Sequence, residues 1–262
     1  MQHQPKKRFG QNFLTDKNLL KKIVLKSNIK DKYVIEVGPG QGALTSYLAL
    51  EAKHVTCFEI DYTLKPILDH IQSKHSNLDI IYEDFMKQDI STYHDQIHVV
   101  ANVPYYITTP IIFKILETKE VLTASLMIQK EVCDRLTSKP GEKTYNQLSV
   151  IIQYFARVYK ILDVKKHMFH PKPKVDSAVI RIEKRKTPLL NQKNEQIFIR
   201  IVKQAFKQKR KTLVNNWFEA FNIPKEKLHE FLNSLNINQN IRAEKISLET
   251  FIHIAKVWPY DI

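Results

Sequence analysis

The sequence predicts an α/β fold built on a parallel sheet, followed by a smaller all-helical C-terminal region. Three observations predict it. Short apolar runs alternate with helix-period segments from residue 33 to about residue 128, each run stops at a polar or glycine-bearing turn, and beyond Asn194 only the helical period remains.

The first 16 residues read as an irregular arm. Thr15 or Asp16 can then cap a helix running to about Ser27, with Leu19, Leu20, Ile23 and Val24 on one face. Tyr33 to Val37 is a strand that stops at Gly38-Pro39-Gly40-Gln41-Gly42, and Ala43 to Leu50 is a helix. His54 to Phe58 is a second strand ending at Glu59. A helix to about residue 75 leads to a third, Asp79 to Tyr82, which ends at Glu83-Asp84-Phe85. Ile97 to Ala101 is a fourth strand, Thr108 to Glu117 a helix, and Ala124 to Ile128 a further strand. Repeated apolar pairs in Val150 to Val158 and Val175 to Ile182 predict closing strands. The remainder is helical, through Ile197, Ile201 and Phe206, then Leu213 to Phe221, Leu228 to Leu235 and Leu248 to Val257. A boundary near Pro188 divides the chain into residues 1–187 and a C-terminal domain of residues 188–262.

With 262 residues, 43% of them apolar and 10% aromatic, the chain can bury a full core, which excludes wholesale disorder. The net charge of +14 is concentrated: residues 157–211 hold 17 Lys and Arg against 4 Asp and Glu, and the rest of the chain is nearly balanced. A patch of that density favours a polyanion, because neutralising phosphates releases counterions. A solvated lysine-rich surface accounts for part of it. Of the aromatics interleaved there, only Phe169, flanked by His170-Pro171-Lys172-Pro173, sits where a packed helix or strand is not expected. Cys57 and Cys133 are too few for a disulfide framework and lack metal-binding spacing, which points to a reducing compartment. No apolar run approaches 18 residues and the N-terminus lacks an apolar signal core, so a cytoplasmic protein with no membrane partner is expected.

Every polar candidate lies at the C-terminal end of a strand, where ligands bind in open α/β sheets. The glycine loop lets a ligand approach the backbone, and the helix N-terminus after it supplies unpaired N–H groups. Its spacing is GxGxG, not GxGxxG, and Glu59 follows Gly38 by 21 residues, which suits a ribose-hydroxyl acceptor. S-adenosylmethionine and a dinucleotide both survive that step. Asp84, ending the third strand, can accept from an adenine amine and favours the former; no hydride-transfer partner is evident.

Asn102-Val103-Pro104-Tyr105 ends the fourth strand. An amide oxygen and the Val103 or Pro104 carbonyl can together grip the exocyclic amine of adenine, and Tyr105 can stack on the ring. Such acceptors favour the pyramidal nitrogen that attacks a methyl donor, where their help acts in the transition state.

Arg8-Phe9-Gly10-Gln11-Asn12-Phe13-Leu14, the loop EVGPGQG, Glu59-Ile60-Asp61, Glu83-Asp84-Phe85, NVPYYITTP, Phe169-His170-Pro171-Lys172-Pro173-Lys174 and QKRKTL occur in that order. From about residue 6 to residue 257 the chain resembles the bacterial small-subunit (16S) ribosomal RNA adenine dimethyltransferase family. The resemblance implies a Rossmann-like, seven-stranded class I methyltransferase domain with a small all-α C-terminal domain. It also implies S-adenosylmethionine as cofactor and two methyls on each of two adjacent adenosines near the RNA's 3′ end. Carried over, Asn12 and Leu14 close over the cofactor, Gly38 and the loop glycine Gly40 approach it, Glu59 holds its ribose and Asp84 its adenine. Asn102 and Pro104 stand at the reaction centre, and Tyr105 and Phe169 sandwich the base. Tyr106 stands where many relatives have Asn, so either tyrosine can be the stacking ring. Lys207, Lys209, Arg210 and Lys211 are the leading phosphate contacts. The expected partner is small-subunit rRNA or a pre-30S particle, bound by a monomer without a metal. The related antibiotic-resistance enzyme of large-subunit (23S) rRNA shares NxPY and FxPxP, but GPG, FGQNFL, TTP and QKRKTL favour the small-subunit enzyme. Intact Gly38, Glu59, Asp84 and Asn102 argue against a non-catalytic assembly factor of the same fold.

Overall fold

A computed structural model describes Lys6 and residues 11–262. Arg8-Phe9-Gly10 of the first motif lie outside the described residues. The chain order begins with β1 (Phe13–Leu14), α1 (Lys17–Ser27), β2 (Tyr33–Val37), α2 (Thr45–Glu51), β3 (His54–Phe58), α3 (Lys65–Gln72) and β4 (Leu78–Ile81). It continues with β5 (Ile97–Asn102), α4 (Thr108–Glu117), β6 (Val121–Gln129), α5 (Lys130–Thr137), α6 (Gln147–Phe155), β7 (Ala156–Val164), β8 (Phe169–His170) and β9 (Ser177–Lys184). Four helices close it: α7 (Gln192–Ala205), α8 (Leu213–Phe221), α9 (Lys225–Ser234) and α10 (Leu248–Lys256).

Seven strands form one sheet in the order β4-β3-β2-β5-β6-β9-β7. The β3–β4, β2–β3, β2–β5 and β5–β6 pairs are parallel, whereas β9 runs antiparallel to β6, so the sheet is mixed rather than wholly parallel. Strands β2, β3 and β5 are buried along almost their whole length, as expected of the central strands of a parallel sheet covered on both faces. The strand order reverses at β2, whose neighbours β3 and β5 lead away in opposite directions. A crevice therefore opens at the carboxyl ends of β2 and β5. Glu36 pairs with Val100 across these strands, so Gly38 and Asn102 emerge beside each other although 64 residues separate them in sequence.

Asp16 caps α1, its carboxylate accepting the Leu19 N–H at 2.8 Å, and the apolar stripe Leu19, Leu20, Ile23 and Val24 is buried. The arm is not wholly irregular. Phe13 pairs with His170 and Leu14 with Phe169 in a two-stranded antiparallel ribbon.

By contacts the chain divides into two compact units, Met1–Cys133 with Arg157–Lys184, and Asp134–Ala156 with Arg185–Ile262. The break at 184/185 falls close to the boundary expected at Pro188, but residues 134–156, expected in the first domain, group with the helical unit. The reason is α6. Val150 to Val158 was expected to be strand, and only its end, from Ala156, is; Asn146 and Ser149 form a reciprocal capping box and start a helix that buries Val150, Ile151, Ile152 and Tyr154. The Tyr154 ring then stacks on Phe198 of α7 at 4.3 Å, and Tyr145 donates to the Ile246 carbonyl at 3.0 Å. Within the same unit the Trp217 indole donates to the Ile201 carbonyl at 3.0 Å and packs edge-on against Trp258.

Candidate active site

A cavity of about 260 Å³ occupies the crevice at the strand ends. The glycine loop forms its floor. Gly38, Gly40 and Gly42 all have positive φ, and a Cβ built on Gly38 would meet nothing within 4 Å, so its open side is available to a ligand. Gly40 instead is covered by the Phe13 ring of the arm, whose nearest carbon would lie 2.9 Å from an added Cβ.

Glu59 is 5% exposed, and its two carboxylate oxygens accept the N–H groups of Gly40 at 3.0 Å and Asp61 at 2.8 Å. Burial raises its pKa despite these donors. The Asp61 carboxylate takes Lys6 Nζ at 2.6 Å, Gln11 Nε2 at 2.8 Å and the Thr63 hydroxyl at 2.6 Å. Its burial opposes the charged form, but those donors outweigh it and hold the carboxyl well below the usual range. Asp61 thus fastens the arm to the turn that orients Glu59.

Beneath the loop, Glu36 is 1% exposed and accepts from the Cys57 thiol at 3.3 Å. Desolvation is the main cause that lifts its pKa to about 7, with the neighbouring Glu59 charge adding to it. Asp84 follows β4, lines the cavity and caps a short 3₁₀ turn, its carboxylate accepting the Met86 N–H at 2.9 Å. Glu36, Glu59, Glu83 and Asp84 all line the cavity, and among the described lining residues none is basic. An acidic pocket in a strongly basic chain suits a cation and opposes a dinucleotide's pyrophosphate. S-adenosylmethionine, with its sulfonium and ammonium, fits this donor set.

On the β5 side, Asn102 donates through Nδ2 to the Asn12 carbonyl at 3.0 Å. A carbonyl can only accept, so the amide nitrogen must face the arm and Oδ1 is turned away from it. The Pro104 carbonyl accepts the Ile107 N–H at 3.2 Å and closes the turn that follows Asn102. The Tyr105 hydroxyl is tied to Ser177 Oγ at 2.7 Å, while Tyr106 is 61% exposed.

The structure therefore brings together Asn12, Leu14, Gly38, Gly40, Glu59, Asp84, Asn102, Pro104 and Tyr105 around one cavity. Phe169 does not join them. Far from lying outside packed structure, it is in a strand, is 4% exposed and belongs to the core cluster of Leu14 and Leu19, so it is not among the residues that line the cavity beside Tyr105. The β1–β8 pairing turns its ring inward. Lys207, Lys209, Arg210 and Lys211 lie between α7 and α8; the first three are exposed, but Lys211 is paired with Glu219. Sequence reasoning missed the structural parts played by Phe13, Glu36 and Asp61. The first stands within FGQNFL and the others open EVGPGQG and close Glu59-Ile60-Asp61, so proximity to a motif was the available signal.

Comparison with known proteins agrees with this geometry. Residues 2–258 match the family model described as ribosomal RNA adenine dimethylase. Ribosomal RNA small subunit methyltransferase A of Onion yellows phytoplasma is 49% identical, with 98% of this chain and 97% of that relative covered. The Bacillus pumilus protein of the same name is 42% identical over 96% and 90% of the two chains. Among solved structures, a dimethyladenosine transferase from Plasmodium falciparum superposes with a TM-score of 0.79 at 26% identity, covering 93% of this chain and 98% of that one. The 23S rRNA methyltransferase ErmE gives 0.78 at 25% identity, covering 94% and 98%. With a family model spanning nearly the whole sequence and the strand-end residues assembled as that chemistry requires, the chain belongs to the ribosomal RNA adenine dimethylase family.

Proposed function

We propose that the protein methylates N6 of two adjacent adenosines near the 3′ end of small-subunit rRNA, giving N6,N6-dimethyladenosines. The observation that carries this reading is the orientation of Asn102, whose amide nitrogen is occupied by the Asn12 carbonyl. Its oxygen is thereby kept as an acceptor beside the glycine loop.

When bound, S-adenosylmethionine supplies an electrophilic methyl group on a positively charged sulfur. Glu59 and Asp84 would hold its ribose and adenine, Gly38 would admit its amino-acid end, and Leu14 with Phe13 would cover it. Asn102 Oδ1 and the Val103 or Pro104 carbonyl grip the adenine amine and draw its lone pair out of conjugation with the ring. Tyr105, fixed at its hydroxyl by Ser177, stacks on the base. For each methyl it gains the amine releases one proton to water, and after the first transfer its single remaining N–H is held by one acceptor. Positioning and preorganised acceptors thus supply the rate enhancement. A buried adenine amine must leave its stack to arrive here, which single-stranded or loop RNA makes easier.

The physiological substrate on this reading is a partly assembled small subunit in the cytoplasm, bound by one copy of the chain. Lys207, Lys209 and Arg210 would contact its phosphates. Mass spectrometry of nucleosides from isolated small subunits incubated with protein and donor tests the function. Dimethyladenosine in the small-subunit RNA is expected; methylation confined to free large-subunit RNA would replace this reading with the antibiotic-resistance activity.

A further inference from the structure

The helix that follows the arm carries a charge row that the fold does not use. Residues 17–32 contain six lysines against one acidic residue, Asp31, outside the basic stretch at 157–211. Four of them, Lys17, Lys21, Lys22 and Lys26, lie within α1, are exposed, and have no ion-pair partner among the described residues. The helix contains no acidic residue at all.

This arrangement works against the helix. Lys17 with Lys21 and Lys22 with Lys26 are like-charge pairs at four-residue spacing, which weakens helices, and Lys17 stands at the end whose dipole repels cations. The buried stripe of Leu19, Leu20, Ile23 and Val24 holds α1 in place regardless. No counter-charge to this row stands among the described residues.

Placement identifies its source. Only Thr15 and Asp16 separate α1 from β1, whose residues line the catalytic cavity. Thr15 donates through its N–H to the Met168 carbonyl at 3.3 Å, joining the start of α1 to the loop that carries exposed Lys166, Lys172 and Lys174. Lysines thus flank the β1–β8 ribbon on both sides. From Lys17 to Lys26 the helix rises about 14 Å, enough to follow a stretch of phosphate backbone.

We propose that the exposed face of α1 is a second phosphate-binding surface, which holds the RNA backbone beside the cavity while Asn102 engages the base. This rests on the rRNA substrate proposed above. Leu25, 80% exposed, is the one exposed large apolar side chain of α1, too little for a membrane-inserting face.

The test uses the full chain with Lys17→Gln, Lys21→Gln, Lys22→Gln and Lys26→Gln combined, and a second form with the same four positions changed to Arg. Affinity for a small-subunit rRNA fragment bearing the 3′ end is measured across salt concentrations, with KM, kcat and calorimetric donor affinity alongside. The glutamine form is expected to lose about two to four from the salt slope and to raise KM for RNA at least about tenfold. Its kcat and donor affinity should stay at the parent level, and the arginine form should restore slope and KM. An unchanged slope and KM in the glutamine form would overturn the proposal. So would loss of binding to anionic lipid vesicles with RNA binding intact. Failure of the parent protein to bind the RNA would instead remove the rRNA reading, and this inference with it.

Discussion

The Asn102 side chain donates to the Asn12 carbonyl at 3.0 Å, so a residue of the N-terminal arm dictates which face of the amide is offered to a substrate. Asn102→Ala should lower kcat at least about 100-fold, the scale on which a transition-state acceptor is lost, with donor affinity changing far less. Asn102→Asp should fare no better, since a carboxylate cannot donate to Asn12. Single-turnover methylation and donor calorimetry check both; near-normal turnover in Asn102→Ala would remove this residue from the mechanism.

Asp61 joins the arm to the donor site, taking Lys6, Gln11 and Thr63 on its carboxylate and giving its N–H to Glu59. Hydrogen bonds to charged groups contribute about 1.5–3 kcal/mol each, so Asp61→Ala should weaken donor binding at least about tenfold. Lys6→Gln should show part of the same loss. Equal donor affinity in parent and Asp61→Ala would show that the arm is not held through this carboxylate.

Two loop glycines should respond differently to alanine. At Gly42 the new Cβ would stand 2.2 Å from the terminal Ile71 Cδ1 methyl, which must swing aside, on a backbone with φ +75°, so Gly42→Ala should cost stability, about 1–3 kcal/mol, chiefly through the strained backbone. At Gly38 the Cβ enters open cavity on a backbone with φ +69°, so stability should fall by only about 1–2 kcal/mol while donor binding suffers most. Thermal melts paired with donor titrations separate the two; a greater donor loss in Gly42→Ala than in Gly38→Ala contradicts the geometry.

Glu36 links folding to pH. In the fold it keeps its proton up to about pH 7, whereas an unfolded glutamate releases it near its ordinary value of 4.5. Between those values the native state holds a proton that the unfolded state lacks, so this group's stabilisation disappears as pH rises through the window. The loss amounts to a few kcal/mol, on the order of 1.4 kcal/mol per pH unit. Melting temperatures of parent and Glu36→Gln from pH 5 to 8 should therefore diverge in the variant's favour as pH rises. Parallel curves would place the carboxyl in contact with water.

Lys211 is engaged by Glu219, while Lys207, Lys209 and Arg210 are exposed. Changing the three exposed residues to Gln should flatten the salt dependence of RNA binding by about two to three, with Lys211→Gln contributing less. An equal effect from Lys211→Gln alone would mean that Glu219 releases it to the RNA.

How much of this was legible beforehand follows from how far apart the determining residues lie. The strands Tyr33–Val37 and His54–Phe58, the helix Thr108–Glu117 and the placement of Gly38, Glu59, Asp84 and Asn102 at strand ends were all written locally. A parallel strand ends at the same rim of the sheet wherever it pairs, so sequence alone determined that these residues share one edge. Val150 to Val158 was read as strand, because a short apolar run suits a buried strand as well as a buried helix; the cap at Asn146 and the Phe198 contact in the helical unit decided for a helix to Phe155. Only tertiary structure could pair Leu14 with Phe169, turn the Phe169 ring into the core and place Lys6 on Asp61. It also decided the proton on Glu36, since desolvation depends on every neighbour that excludes water and not on the residues beside it in the chain.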